Sequence, residues 1–254
     1  MPKSFFHDRC ADCHGDTGHG DGFIMQQIGG SAADLTAAHI ADHTAGDMFW
    51  WIGHGTPSEI MPGQAAEISA DDRWDLVNYV RLLTLSARAN GLTGTVAPGK
   101  PWLPAIDFSF TDSEGNAHTL RDFEGTSALL VVLASEPGDP ARLASFAAAM
   151  AELQAANLTV LFVGDEATAQ ALPDIKSSPS LFVITRDTAE TLRMWRYYGT
   201  SAAQTEFLVD RFGYVRARWQ GGDGHLPPLA DILRETTRLQ DEPQILPTPE
   251  DHLH

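Results

Sequence analysis

The segment Cys10-Ala11-Asp12-Cys13-His14 constrains this chain more than any other feature. Its two cysteines are the only ones in 254 residues, so no wider disulfide framework exists. A bridge across two intervening residues would close too small a loop to stabilise much. The pattern C-x-x-C-H is instead the attachment motif of c-type haem. On a helix, thiols three residues apart share a face and reach two vinyl groups. His14, next to the second thiol, swings its imidazole onto the iron from the same side. A thioredoxin-like C-x-x-C normally follows a buried strand, whereas Phe6 and Cys10 stand at i, i+4, a helical spacing. Zinc would need a second ligand pair, and no other cysteine exists. The reading is one haem c, covalently bound at Cys10 and Cys13, with His14 on the iron.

A six-coordinate haem needs a second axial ligand, and methionine is a common choice. The first 88 residues offer Met25, Met48 and Met61. Met61 precedes Pro62-Gly63, a rigid turn that can hold a thioether toward iron without a helix. Met48 lies in Asp47–Ile52, which has the look of a packed helical segment. Met61 is therefore the expected ligand, with His54, His39 and His43 as the alternatives. Trp50 and Trp51 are expected to pack the haem, with an indole N–H available to a propionate. Six of the chain's ten histidines fall in this region. Of these, His19, His39, His43 and His54 read as solvated surface groups in an acidic protein rather than as a copper site.

Net charge is −17, which argues against nucleic acid or an anionic membrane surface as a partner. The first 88 residues hold 5 Lys/Arg against 12 Asp/Glu, so no acidic tail accounts for the excess. An acidic electron-transfer protein would be steered toward basic-faced redox partners. The longest apolar run, Ala128–Ala134, is far short of the roughly 20 residues of a membrane-spanning helix.

With these residues in place, 1–88 resembles a class I cytochrome c. Such a domain is all-α, opens on a C-x-x-C-H helix, carries a Met-Pro turn and closes on a long helix. The closing helix is expected from Ser69 to about Ala87. Ser69-Ala70-Asp71-Asp72 has the form of an N-cap box, and Leu76, Val80 and Leu83 then repeat at helical spacing. The resemblance implies that the first and last helices cross, with Phe6 meeting Val77 or Tyr79.

Residues 89–101 carry three glycines and two prolines without periodicity and read as a linker, with the boundary near residue 95. Beyond it strands and helices alternate. Ser127–Ala134 and Leu158–Val163 read as buried strands, and Ser180–Ile184 as a short one. Pro140–Ala156 and Thr188–Tyr198 read as helical. Glu206–Asp210 and Tyr214–Trp219 form a hairpin about Arg211-Phe212-Gly213, and Pro227–Leu239 is a last helix. This is an α/β pattern with a mixed sheet over 102–240, followed by a tail at 241–254.

The second domain resembles the thioredoxin superfamily in its SCO-like, peroxiredoxin-like branch. The likeness rests on Leu103–Asp112, Gly115, Leu120-Arg121-Asp122-Phe123 and the Phe207–Trp219 hairpin. It implies a redox cysteine after the first buried strand. Here that stretch is Ala134-Ser135-Glu136-Pro137-Gly138-Asp139, with Ser135 and Asp139 at the C-x-x-x-C spacing. A hydroxyl and a carboxylate form no disulfide and are poorly suited to Cu(I). Thiol redox is therefore excluded for this domain alone, and a hydrolytic Ser135/Asp139 site has no partner histidine in a recognisable frame. The remaining histidines are His118, His225, His252 and His254, the last two in a loose tail.

The pairing is similar to the soluble part of fusion proteins attached to copper-resistance-D-type membrane domains. That resemblance implies a membrane domain before residue 1, a periplasmic setting and a link to copper homeostasis. Iron closed by His14 and Met61 has no open position, so the expected function is electron transfer rather than catalysis. The residues leave two alternatives: a peroxidase-like haem enzyme or sensor with a labile sixth ligand and His54 as its distal acid/base, and a copper-binding or assembly accessory module.

Overall fold

The computed structural model describes residues 2–57, 60–99, 103–112, 115–134, 139–170, 178–185, 195, 198, 204–221 and 226–242. Ser135, His225, His252, His254 and most of the helix expected at Thr188–Tyr198 lie outside the described residues. Two compact units part between Arg88 and Ala89.

The described part of the first unit is helical: α1 (Pro2–Arg9), α2 (Ala11–His14), α3 (Phe23–Ile28), α4 (Ala45–His54) and α5 (Ala70–Asn90), with a 3₁₀ turn over Ala38–Asp42. The helix expected through the motif is interrupted at Cys10, whose φ is −120°. The hydrogen-bond ladder nevertheless continues across it: Cys10 N–H donates to Phe6 O and His14 N–H to Cys10 O, both at 2.8 Å. Capping starts α4, where the Thr44 hydroxyl and the Asp47 carboxylate serve each other's backbone N–H groups. The Ser69 side-chain cap expected at α5 is present too. Ser69 Oγ accepts from Asp72 N–H at 3.1 Å and donates to Asp72 Oδ2. The helix then runs past the expected Ala87 to Asn90. Its apolar face buries Leu76, Val77 and Tyr79 against Phe6, Ala11, Ile40, Met48, Ile52 and Ile68. Phe6 and Tyr79 meet with ring centroids 5.0 Å apart, the crossing implied for the first and closing helices.

The second unit is built on a six-stranded mixed sheet. Its strands are β1 (Leu103–Pro104), β4 (Ala128–Leu133), β5 (Leu158–Gly164), β6 (Leu181–Thr185), β7 (Thr205–Val209) and β8 (Tyr214–Gln220), in the order β1-β8-β7-β4-β5-β6. A separate hairpin pairs β2 (Ser109–Thr111) with β3 (Ala117–Thr119). The pairs β4–β5 and β5–β6 are parallel, and β4–β7, β7–β8 and β1–β8 antiparallel. Apart from the partly buried Leu133, the central strands β4 and β5 are buried along their length, which explains their Leu/Val-rich sequence. Helices α6 (Pro140–Ala148), α7 (Met150–Ala155), α8 (Glu166–Gln170) and α9 (Leu229–Asp241) complete the described unit. The single helix expected over Pro140–Ala156 is two, broken at Ala149, whose N–H turns back to Phe146 O. Alanine gives no sequence signal for such a break.

Part of the segment read as linker is packed. Ala89, Leu92 and Val96 are buried, Val96 N–H donates to the buried Glu235 Oε2 at 2.9 Å, and Arg216 Nη2 donates to Ala97 O at 3.1 Å. Gly94 lies against Trp219, where a Cβ would fall 2.2 Å from the indole Nε1. Glycine and proline there signalled missing periodicity, and periodicity is a separate matter from packing.

At the C-terminal end of β4, register pairs Val132 with Glu206. The fully buried Glu206 takes a two-pronged bond from Arg142 of α6, Nε to Oε1 at 2.8 Å and Nη2 to Oε2 at 2.7 Å. Breaking a buried pair strands one charge, so Glu206→Gln should destabilise this unit by about 3–5 kcal/mol. Chemical denaturation of the full chain, followed by the second unit's signal, checks this.

Candidate haem-attachment site

Cys10 and Cys13 sit at the start and within the single turn of α2, and His14 closes it. Cys10 packs on the first unit's core. Burial, with Cys13 beside it, pushes the Cys10 thiol up to about 11. A dithiol oxidoreductase uses a thiolate of lowered pKa, so these surroundings disfavour thiol exchange.

The imidazole of His14 is oriented by the backbone. Its Nδ1 lies 3.0 Å from Ala33 O. A carbonyl only accepts, so Nδ1 carries a proton, and in the neutral ring that tautomer makes Nε2 the metal-ligating nitrogen. Close backbone contacts place Ala33 there. Gly20 N–H donates to His14 O at 2.8 Å, Ala32 N–H to Gly20 O at 3.1 Å, and Leu35 N–H to Gly18 O at 2.7 Å. Gly20 has φ +78°, and a Cβ on it would lie 2.2 Å from Ala32 O. Just beyond Ala33, Asp34 Oδ1 accepts from Thr36 N–H at 2.8 Å and from Thr36 Oγ1 at 2.6 Å, with His19 3.6 Å away. The Thr36 hydroxyl bond, foremost among several causes, holds the Asp34 carboxyl below its ordinary value.

Met61 is half-buried against the same core that Cys10 touches. Its turn is fastened to the end of α4. Thr56 N–H donates to Met61 O at 3.1 Å, Gly55 bridges Pro62, and Gln64 N–H reaches Ile52 O at 2.8 Å. Gly55 takes φ +84°, and a Cβ there would sit 2.5 Å from Met61 O. Met48 is buried in the core. His54 follows on α4, its ring stacked on Trp50 with centroids 3.7 Å apart. Trp50 is 59 % exposed, while Trp51 is half-buried with the ring of His43 edge-on at 4.9 Å.

The fit to a haem can be tested on two observations. Among the described residues the large exposed apolar side chains are Phe23, Ile24, Ile28, Trp50, Ile60 and Trp74, all in the first unit. Surface of this kind suits the flat apolar face of a porphyrin. In the same unit His43 Nδ1 and Arg73 Nε are buried without a hydrogen-bond partner. A ring bearing carboxylate side chains supplies acceptors for such donors. The residues present therefore fit the group.

In the second unit Asp139 caps α6, accepting from Ala141 N–H at 3.0 Å and Arg142 N–H at 3.1 Å, so its carboxylate is engaged in structure. His118 pairs with Asp112 at 3.0 Å and stacks on Phe110 in the β2–β3 hairpin. A cavity of about 280 Å³ near the start of β4 is lined by Asp107, Arg121, Glu124 and Asp210. Arg121 and Asp107 face each other across 3.3 Å there.

Sequence reasoning missed the Ala33 carbonyl, because any residue can supply one. The Gly18-x-Gly20-x-Gly22 spacing was the available signal for a backbone packed this tightly.

The family model for cytochrome c matches residues 3–84, and that of the AhpC/TSA family matches residues 103–218. The chain is a cytochrome c domain followed by a thioredoxin-like domain of AhpC/TSA type. Among solved structures it is similar to a mitochondrial 2-Cys peroxiredoxin from Plasmodium falciparum, at 12 % identity and TM-score 0.43, over 54 % of this chain and 92 % of that one. A putative thiol:disulfide interchange protein DsbE from Chlorobium tepidum matches at 22 % and 0.39, over 57 % and 97 %. BsSco, a member of the Sco family of cytochrome c oxidase assembly proteins, matches at 14 % and 0.44, over 58 % and 98 %. No curated protein gives a match.

The Asp34 shift has a pH consequence. A carboxyl whose folded pKa is depressed contributes stability above its ordinary 3.8, and that contribution is lost as pH falls through the folded value. Hydrogen-exchange protection of the Thr36 amide should hold from pH 7 down to about 4 and fall below it. In Asp34→Asn that acid step should be absent.

Proposed function

We propose that this chain is an electron carrier whose single haem c is bound through Cys10 and Cys13 and ligated by His14 and Met61. The observation that carries the reading is the His14 Nδ1 bond to Ala33 O, which assigns Nε2 as the nitrogen to meet the iron. When bound, the haem supplies a one-electron Fe(III)/Fe(II) couple. The chain's own residues do the rest. Cys10 and Cys13 tether the ring, and Ala33 O fixes the tautomer of His14. The fastened 55–64 turn would hold Met61 as the second iron ligand beside His14, a pair that would leave substrate no place on the metal. His43 and Arg73 hold donors for the ring's carboxylates, and the exposed apolar side chains shield it from water.

The thioredoxin-like domain contains no cysteine, so its role is docking or assembly rather than thiol chemistry. Haem c and a domain of this type fit an exported protein, and the proposed setting is the periplasm. There it would serve a membrane redox system or copper homeostasis. Net charge −17 supports a basic-faced redox partner.

The test is spectroscopic. The oxidised protein should show a methionine–iron charge-transfer band, and the reduced protein no shift with carbon monoxide. Met61→Ala should keep the haem attached, lose the band and bind carbon monoxide readily. A variant spectrum identical to wild type would place the sixth ligand elsewhere, and a high-spin wild type would overturn the closed-carrier reading.

A further inference from the structure

The loop that offers the Ala33 carbonyl to His14 is hooked from α5 by a side chain outside the haem motif. Thr84 is 1 % exposed, and its Oγ1 donates to Leu35 O at 2.8 Å across 49 residues of sequence. The helix's own acceptor, Val80 O, lies at 3.3 Å. A threonine hydroxyl has one proton, and the shorter, long-range bond takes it. Leu35 stands two residues past Ala33 and is held on both sides of its Cα, its N–H by Gly18 O and its C=O by Thr84. A second hook, Arg88 Nη2 to Ala38 O at 3.1 Å, fastens the same loop further on. Asp34 and Thr36 brace the loop internally, whereas Thr84 ties it to the long helix.

We propose that Thr84 is a positioning residue for the iron's histidine, acting through the loop at 33–36 on the bond between Ala33 O and His14 Nδ1. This rests on the reading of His14 as the iron's ligand. A well-aligned acceptor on Nδ1–H makes Nε2 a stronger donor. A stronger donor favours Fe(III) and lowers the reduction potential. Removing the hydroxyl leaves the Leu35 carbonyl without its hook and lets Ala33 O drift from Nδ1. The potential then rises.

The experiment is a redox titration of the full haem-loaded chain, comparing wild type with Thr84→Val and Thr84→Ser. Valine matches threonine in shape but has no donor, and serine keeps the donor. The expected result is a raised midpoint potential for valine and a wild-type value for serine, with the six-coordinate spectrum retained in both. A valine variant that melts earlier at an unchanged potential would overturn the proposal, since Thr84 would then only stabilise the fold. Serine rising as far as valine would also overturn it. If valine does not load haem, Thr84→Ala is titrated in its place and judged by the same two outcomes. Failure of the underlying reading looks different, because wild type would then lack the spectrum of covalently attached, histidine-ligated haem.

Discussion

The hydrogen bond between His14 Nδ1 and the Ala33 carbonyl decides which imidazole nitrogen is available, and much of the first unit serves to make that bond. A backbone carbonyl cannot be aimed by its own side chain, so it must be aimed by packing. Three glycines bring the chain after the motif close enough to fold back on itself, where any Cβ at Gly20 or Gly22 would strike backbone. Asp34 and Thr36 close the turn from within, and α5 closes it from outside through Thr84. The closing helix is itself held by Phe6 on Tyr79, and Phe6 lies on α1, directly before the motif.

The second unit contains no cysteine, and its buried polar groups serve its structure. Where the chain enters α6 beyond β4 stand a helix cap and an ion pair. Asp139 spends its carboxylate on the N–H groups that open α6, and Arg142, two residues into that helix, meets a fully buried Glu206. A buried pair of this geometry adds little net stability but is costly to break. It fixes α6 against β7, and Phe146 lies beneath the guanidinium at 4.7 Å. Residues 92–97 share the same kind of anchoring, clamped by Glu235 and Arg216.

Legibility followed the range of the interaction. The caps at Thr44 and Ser69 each span four residues, and the second was readable as written. The buried strands at 128–133 and 158–164 announced themselves as unbroken apolar runs. The split at Ala149 was not legible, because a turn of 3₁₀ bonding among alanines leaves no compositional trace. Nor was the packing of Val96, since its partner Glu235 is 139 residues away.

By itself the sequence determined the chemistry that is available. Two thiols and an imidazole in one turn admit covalent haem, a Met-Pro-Gly turn offers a thioether, and a domain without cysteine cannot exchange disulfides. Those conclusions depend on which atoms exist and on spacings of a few residues, and both are written in the chain. Only the tertiary structure decided which nitrogen of His14 is bonded to the backbone, which carbonyl holds it, and that Thr84 reaches across to the same loop. Each of those depends on groups about 20 to 50 residues apart meeting within about 3 Å, a distance set by the packing of the core.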